Sequence, residues 1–265
     1  MNKNNGLVIK VVVAATYLTM VTVNALANAI PINGVTTGGV SDSFPDLFAP
    51  APITFSIWGL IYILLAGYTL YQFGLFQADH GAAREELFKK IGILFAISSV
   101  ANTLWIFAWH YNAIWLSLLF MIVILICLIL IANRLSEENF STKEKGFIRL
   151  PFSIYFGWIT VATIANVTTF LVSLGWGGSL GPSDQIWMVI ILLVGAAIGI
   201  ARMRRDNDIA YGLVILWAYA GILNKHISPA GFVGQYSAVI IFAIISIIIL
   251  VLAKVLLFYP GFKKA

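Results

Sequence analysis

The sequence predicts an all-α membrane protein: a polytopic helical bundle with eight transmembrane helices. Three observations predict it. First, 60% of the 265 residues are hydrophobic and 10% are charged, against about 25% charged in an average soluble domain. The mean hydropathy is +0.94. Second, apolar runs long enough to cross a bilayer recur between short polar loops, and runs of this length span lipid as helices. Third, the basic residues alternate in place. With the N-terminus inside and eight alternating spans, fifteen of the sixteen Lys and Arg residues fall inside and only Lys225 falls outside. That is a strong positive-inside bias, and an odd number of spans would scramble it.

The first span is predicted over residues 7–30, after a short start carrying Lys3 and Lys10. Ala27-Asn28-Ala29 has the form of a leader cleavage site. Asn24 and Asn28, one turn apart, instead suit a retained helix that bonds to its neighbours, and retention is expected. Residues 31–49 form a loop without Lys or Arg, whose glycines supply turns and whose only charges are Asp42 and Asp46. Pro50 and Pro52 then suit the lead-in and first turn of a second span, residues 53–76, because they lack backbone N–H groups. Residues 77–90 are polar and basic. The third span covers 91–109, His110-Tyr111-Asn112 makes a tight turn, and the fourth covers 113–132. A charged loop, 134–149, precedes the fifth span at 150–172. A Gly-rich loop, 173–184, leads to a sixth span at 185–201, followed by Arg202, Arg204 and Arg205. The seventh, 209–224, is near the lower length limit of about 17 residues. The eighth covers 235–259.

This distribution excludes several function classes. The net charge of +5 sits in loops between spans, where it reports topology, so no nucleic-acid partner is expected. The single cysteine, Cys127, rules out an internal disulfide. No charged residue lies clearly mid-span, which weighs against an ion-coupled pump. There is no metal-type His/Cys spacing, and His80, His110 and His226 all fall at loops or span ends, where solvated or interfacial roles are expected. No metal and no catalytic residues are expected, since no nucleophile–base pair is legible.

What remains is aromatic and amide chemistry. Phe55, Trp58 and Tyr62 share a face of the second span at spacings of three and four. Asn102 and Trp105 share a face of the third, extended by Trp109. Trp158, Ala162, Ala165 and Asn166 form a face of the fifth, whose small residues admit close approach. From the residues alone each face reads first as ordinary helix packing with asparagine glue, and second as the wall of a slot for a flat ligand. By helix rise, Trp58 lies about 9 Å and Trp105 about 8 Å below the outer surface, with Trp158 near mid-membrane. The three faces can then enclose one slot beneath the first loop.

These residues resemble the tryptophan-rich sensory protein family, also called the translocator protein or peripheral benzodiazepine receptor family, in its longer bacterial form. Pro50, Pro52, Phe55, Trp58-Gly59-Leu60-Ile61-Tyr62 and Gly67 resemble the family's second helix. Asn102-Thr103-Leu104-Trp105 resembles its third, and Trp158, Ala162, Thr163 and Asn166 its fifth. Ala51 splits the prolines, Pro151 stands seven rather than four before Trp158, and the W-Y and K-P-x-W signatures of the first loop are missing. The resemblance covers about residues 7–172. It implies a five-helix translocator-protein-like bundle over 1–172, with three additional helices over 173–265.

By that similarity Phe55, Trp58, Tyr62, Asn102, Trp105, Trp158, Ala162 and Asn166 would line or support a ligand pocket. The implied ligand is a planar hydrophobic molecule, tetrapyrrole- or porphyrin-like, with sterol or lipid as further candidates, bound for sensing or transport. No cofactor is expected beyond such a tetrapyrrole ligand. A permease or exporter of a small hydrophobic molecule is the alternative, and a membrane enzyme acting on lipid or porphyrin a third. The expected setting is a bacterial cytoplasmic membrane, with both termini cytoplasmic, membrane lipid as a partner and a homodimer possible.

Overall fold

The computed structural model describes residues 3–75, 82–177 and 180–258. The described residues fold into helices joined by short connections. In chain order these are α1 (Lys3–Ala29), α2 (Thr37–Asp42), α3 (Ile57–Tyr71), α4 (Ala82–His110), α5 (Ile114–Ser136), α6 (Thr142–Glu144), α7 (Leu150–Ser173), α8 (Pro182–Asp206), α9 (Ile209–Ile227) and α10 (Ser237–Phe258). A 3-10 turn at Pro52–Ser56 leads directly into α3, and Pro52 occupies its first turn as the missing N–H requires. His80 lies outside the described residues.

Among the described residues, seven helices are long and apolar enough to cross a membrane. They include the first predicted span, and they match every predicted span except the seventh. That segment forms α9, 19 residues long. Its last turn, Asn224-Lys225-His226, is polar and lowers its apolar character. A helix of that length still spans about 28 Å, close to a ~30 Å hydrocarbon core.

Residues of the chain pack into two compact units, which divide within α7: residues 1–40 with 58–156, and residues 41–57 with 157–265. The motif-based division at 172/173 follows a resemblance, whereas this division follows packing.

In the first unit, α4 packs against α1 and α5. Its core is aromatic. Tyr68 meets Phe152, Phe95 and Phe88 with ring centroids 4.7, 5.7 and 6.3 Å apart. Gly92 sets the approach of α1 to α4, because a Cβ there would lie 3.1 Å from methyls of Ile9 and Val13. Arg84 ties the start of α4 to the connection after α5. It bridges Glu144 at 2.7 Å and Glu138 at 2.8 Å, donates to the Asn139 carbonyl, and lies over the Phe140 ring. Ser141 and Glu144 form a capping box at α6. A π-turn at Lys145–Arg149 then runs into α7. Pro151 follows at once, where its absent N–H would otherwise break regular α bonding.

In the second unit, α8, α9 and α10 pack against one another. Asn207 ends α8 in the left-handed conformation, at φ 50°, and Asp208 caps α9 by accepting from the Tyr211 N–H. Two hydroxyls satisfy themselves within the unit: Tyr211 Oη donates to Thr160 Oγ1 and Tyr219 Oη to the Leu192 carbonyl. Residues 47–54 are stapled to α9 by three bonds. His226 Nε2 donates to the Leu47 carbonyl at 2.9 Å, Trp217 Nε1 to the Thr54 carbonyl at 2.9 Å, and the Ala51 N–H to the Gly221 carbonyl at 3.0 Å.

Candidate functional site

The predicted site residues fall into two groups, one in each unit. In the first unit the Trp58 and Tyr62 rings stack, with centroids 5.5 Å apart and planes 23° apart. Both residues are half-buried. They stand one helical turn apart on α3, so stacking is the geometry their spacing favours. Trp58 also meets Tyr155 edge-on at 6.1 Å.

Beneath this pair runs a buried polar chain. Asn24 donates to Asn102 Oδ1 at 2.7 Å, and Asn102 donates to Tyr155 Oη at 3.3 Å. Tyr17 Oη donates to the Tyr62 carbonyl at 2.8 Å. Asn102 is fully buried, so each amide bond here replaces one that water cannot supply. The Tyr62 hydroxyl is buried and has no hydrogen-bond partner among the described residues.

Trp105 is buried and stacks on Trp109, with centroids 5.6 Å apart. Trp109 Nε1 in turn donates to the Thr37 carbonyl. At least one face of Trp105 is thus occupied by protein. His110 is fully buried, contrary to the expected solvated role. Its Nδ1 donates to the Ile106 carbonyl, and its own carbonyl accepts from Asn33. His226 is buried too, in an aromatic cluster with Phe232 and Tyr236. The His226 ring holds the loop at Leu47 against α9, and the His110 ring bonds back into its own helix, roles that their position at span ends does not reveal.

In the second unit Phe55 meets Trp158 edge-on at 5.7 Å. Trp158 and Asn166 are buried, and Ala162 between them is half-buried. All three lie on α7.

Sequence reasoning missed Tyr17 and Tyr155, and it missed a small, partly open cleft in the second unit. The tyrosines carry no motif, and only the tertiary contacts single them out. The cleft gathers Asp46, Phe48, Trp176, Asp184 and Trp187 from three separate segments. Asp46 is buried in the loop before the 3-10 turn, and its Oδ1 accepts from the Phe48 and Ala49 N–H groups, both at 2.7 Å. Burial pushes its carboxyl up to about 6, against the two N–H bonds and nearby Lys225, which favour the charged form.

A carboxyl raised above its unfolded value stabilises the fold most below about pH 4. That contribution is lost as pH rises through about 6. Asp46→Asn keeps an oxygen for both N–H groups and removes the titration. Its unfolding free energy in detergent should therefore gain on the parent's as pH rises from 4.5 to 7.5, by a difference on the order of 1–3 kcal/mol. A constant difference across that range would show that Asp46 does not titrate there.

The helices and their buried amides and aromatics define a multi-pass integral membrane protein of all-α type. A family model described as TSPO-like protein matches residues 10–256, and the chain belongs to that family. The match runs through α8, α9 and α10, beyond the residues 7–172 over which the motifs were read. Neither a curated protein nor a solved structure matches the chain.

Proposed function

We propose that this protein binds a planar hydrophobic ligand of the porphyrin kind, for sensing or transport across the membrane. The observation that carries the reading is the half-buried Trp58–Tyr62 stack, with the unpartnered Tyr62 hydroxyl beside it. A flat ring can extend such a stack. A ligand carboxylate or ring nitrogen can meet the hydroxyl, which otherwise stays unsatisfied at a cost of about 1–3 kcal/mol. The buried Asn24–Asn102–Tyr155 chain would hold this wall in place, so the ligand meets a preformed surface. Family membership supports the same reading.

The test is a protoporphyrin titration of the purified protein in nanodiscs, followed by quenching of tryptophan fluorescence. Trp58→Ala should weaken binding by roughly tenfold, the loss of one stacking partner and its buried area. Tyr62→Phe separates two effects. Without ligand it should melt at or above the parent's temperature, because an unsatisfied buried hydroxyl is gone. With porphyrin it should bind more weakly. If both variants fold and bind as the parent does, the pair is helix packing and the proposal fails.

A further inference from the structure

The cleft in the second unit has its own chemistry, independent of the Trp58 wall. It is lined by the loop segment Asp46-Leu47-Phe48, the end of α7, Trp176 and the first turns of α8. Two carboxylates line it, Asp46 and Asp184, and among the described residues no Lys or Arg does. Trp176 and Trp187 meet edge to face across it, with centroids 5.8 Å apart and planes 81° apart. That contact covers only part of the two ring surfaces, and both side chains are exposed in the folded chain. Met188 and Leu171 supply polarisable and apolar lining.

Asp46 is the second, independent pointer. It is more than nine-tenths buried. Both of its hydrogen bonds fall on one oxygen, Oδ1. The other oxygen has no hydrogen bond among the described residues. The nearby cation, Lys225, is engaged with Asp42 at 3.5 Å. A buried carboxylate with a spare oxygen, beside two exposed indoles, suits a positive charge carried on an apolar body.

A metal ion is the poorer fit. Among the described residues there is no group of three or more His, Cys, Asp or Glu side chains that could hold one, and indole rings are not ligands for hard cations. An anion would face two carboxylates and no base.

We propose that this cleft is a binding site for a small organic cation of the alkylammonium or trimethylammonium class. Asp46 and Asp184 supply the countercharge, and Trp176 and Trp187 supply the π faces. Choline would place its trimethylammonium group between the rings and Asp46.

The experiment uses the full chain in a maltoside detergent, which carries no ammonium headgroup. Choline chloride is titrated calorimetrically at constant ionic strength. Its uncharged isostere, 3,3-dimethylbutan-1-ol, is titrated in parallel. Choline should bind saturably, with the isostere weaker by about tenfold or more, as a charge-selective aromatic site requires. Asp46→Asn and Trp187→Leu should each weaken choline about tenfold, while protoporphyrin titrations of the same variants stay at the parent's affinity. Should Asp46→Asn fail to fold, Asp184→Asn carries the same expectation. Non-saturating heats, equal binding of the isostere, or choline binding unchanged in the acidic-site variants would each overturn the proposal. The tryptophans would then be membrane-interface anchors only.

Discussion

Gly221→Leu should abolish a stably folded second unit, with a loss of about 3 kcal/mol or more. The Pro52–Ser56 turn lies directly on α9 at this residue. A Cβ at Gly221 would overlap Thr54 Oγ1 and come within 2.6 Å of its Cγ2 and 2.8 Å of its Cβ. Thr54 is buried, at 1% exposure, and its Cβ, which a side-chain rotation does not move, is itself in the way. The Gly221 carbonyl also accepts the Ala51 N–H, and Trp217 one turn earlier holds the Thr54 carbonyl. Pushing the turn off the helix would therefore break hydrogen bonds as well as packing. Even Gly221→Ala should lower the melting temperature clearly. Thr54→Ala in that background should restore part of it, because it removes the two nearest atoms and leaves the Cβ. A Gly221→Leu protein that melts with the parent would show that the turn does not rest on α9.

Asn102→Leu should destabilise the first unit by about 1–3 kcal/mol. It strips Asn24 of its 2.7 Å acceptor and Tyr155 of its donor, in a part of the bundle where Asn102 is fully buried. Asn24 retains its bond to the Met20 carbonyl, which keeps the loss from being larger. Asn24→Leu alone should cost a similar amount. The double variant should cost clearly less than the sum, because the orphaned amide of each single variant is absent. Thermal unfolding of the four proteins in one detergent measures this coupling. Strict additivity would mean that the two amides act independently. Porphyrin affinity should fall in Asn102→Leu as well, since Tyr155 sets the edge against which Trp58 rests.

Most of the helical plan was legible because membrane spans are long and apolar. Residues 114–132 carry no charge and Ser117 as their one hydroxyl or amide side chain, and no soluble or β reading accommodates them. α9 was the exception in degree: it is short and ends in Asn224-Lys225-His226, so length and alternation of charge pointed to it more than apolar character did. The pairing of Trp58 with Tyr62 was legible too, since a spacing of four puts two rings on one face. The partner of Trp105 was not. Trp109 is also four residues on, but spacing alone cannot say whether a ring's open face meets a ligand or another indole. The same limit hid the burial of His110 and His226, because a polar residue at a span end looks solvated until a loop folds over it.

The sequence by itself determined the class of the protein, its helices and the faces on which its aromatics and amides lie. These follow from the helical period and from the cost of unpaired backbone in lipid, which are local properties of the chain. Only the tertiary structure decided which of those faces meet. It joined Asn24 on α1 to Asn102 on α4 and to Tyr155 on α7. It brought Asp46, Trp176 and Asp184, from segments with no motif in common, into one cleft. Such contacts depend on side-chain packing between elements far apart in the chain, and no local pattern encodes them. The division of α7 between two packed units has the same origin, for a helix reads as one continuous element in sequence whatever its two halves touch.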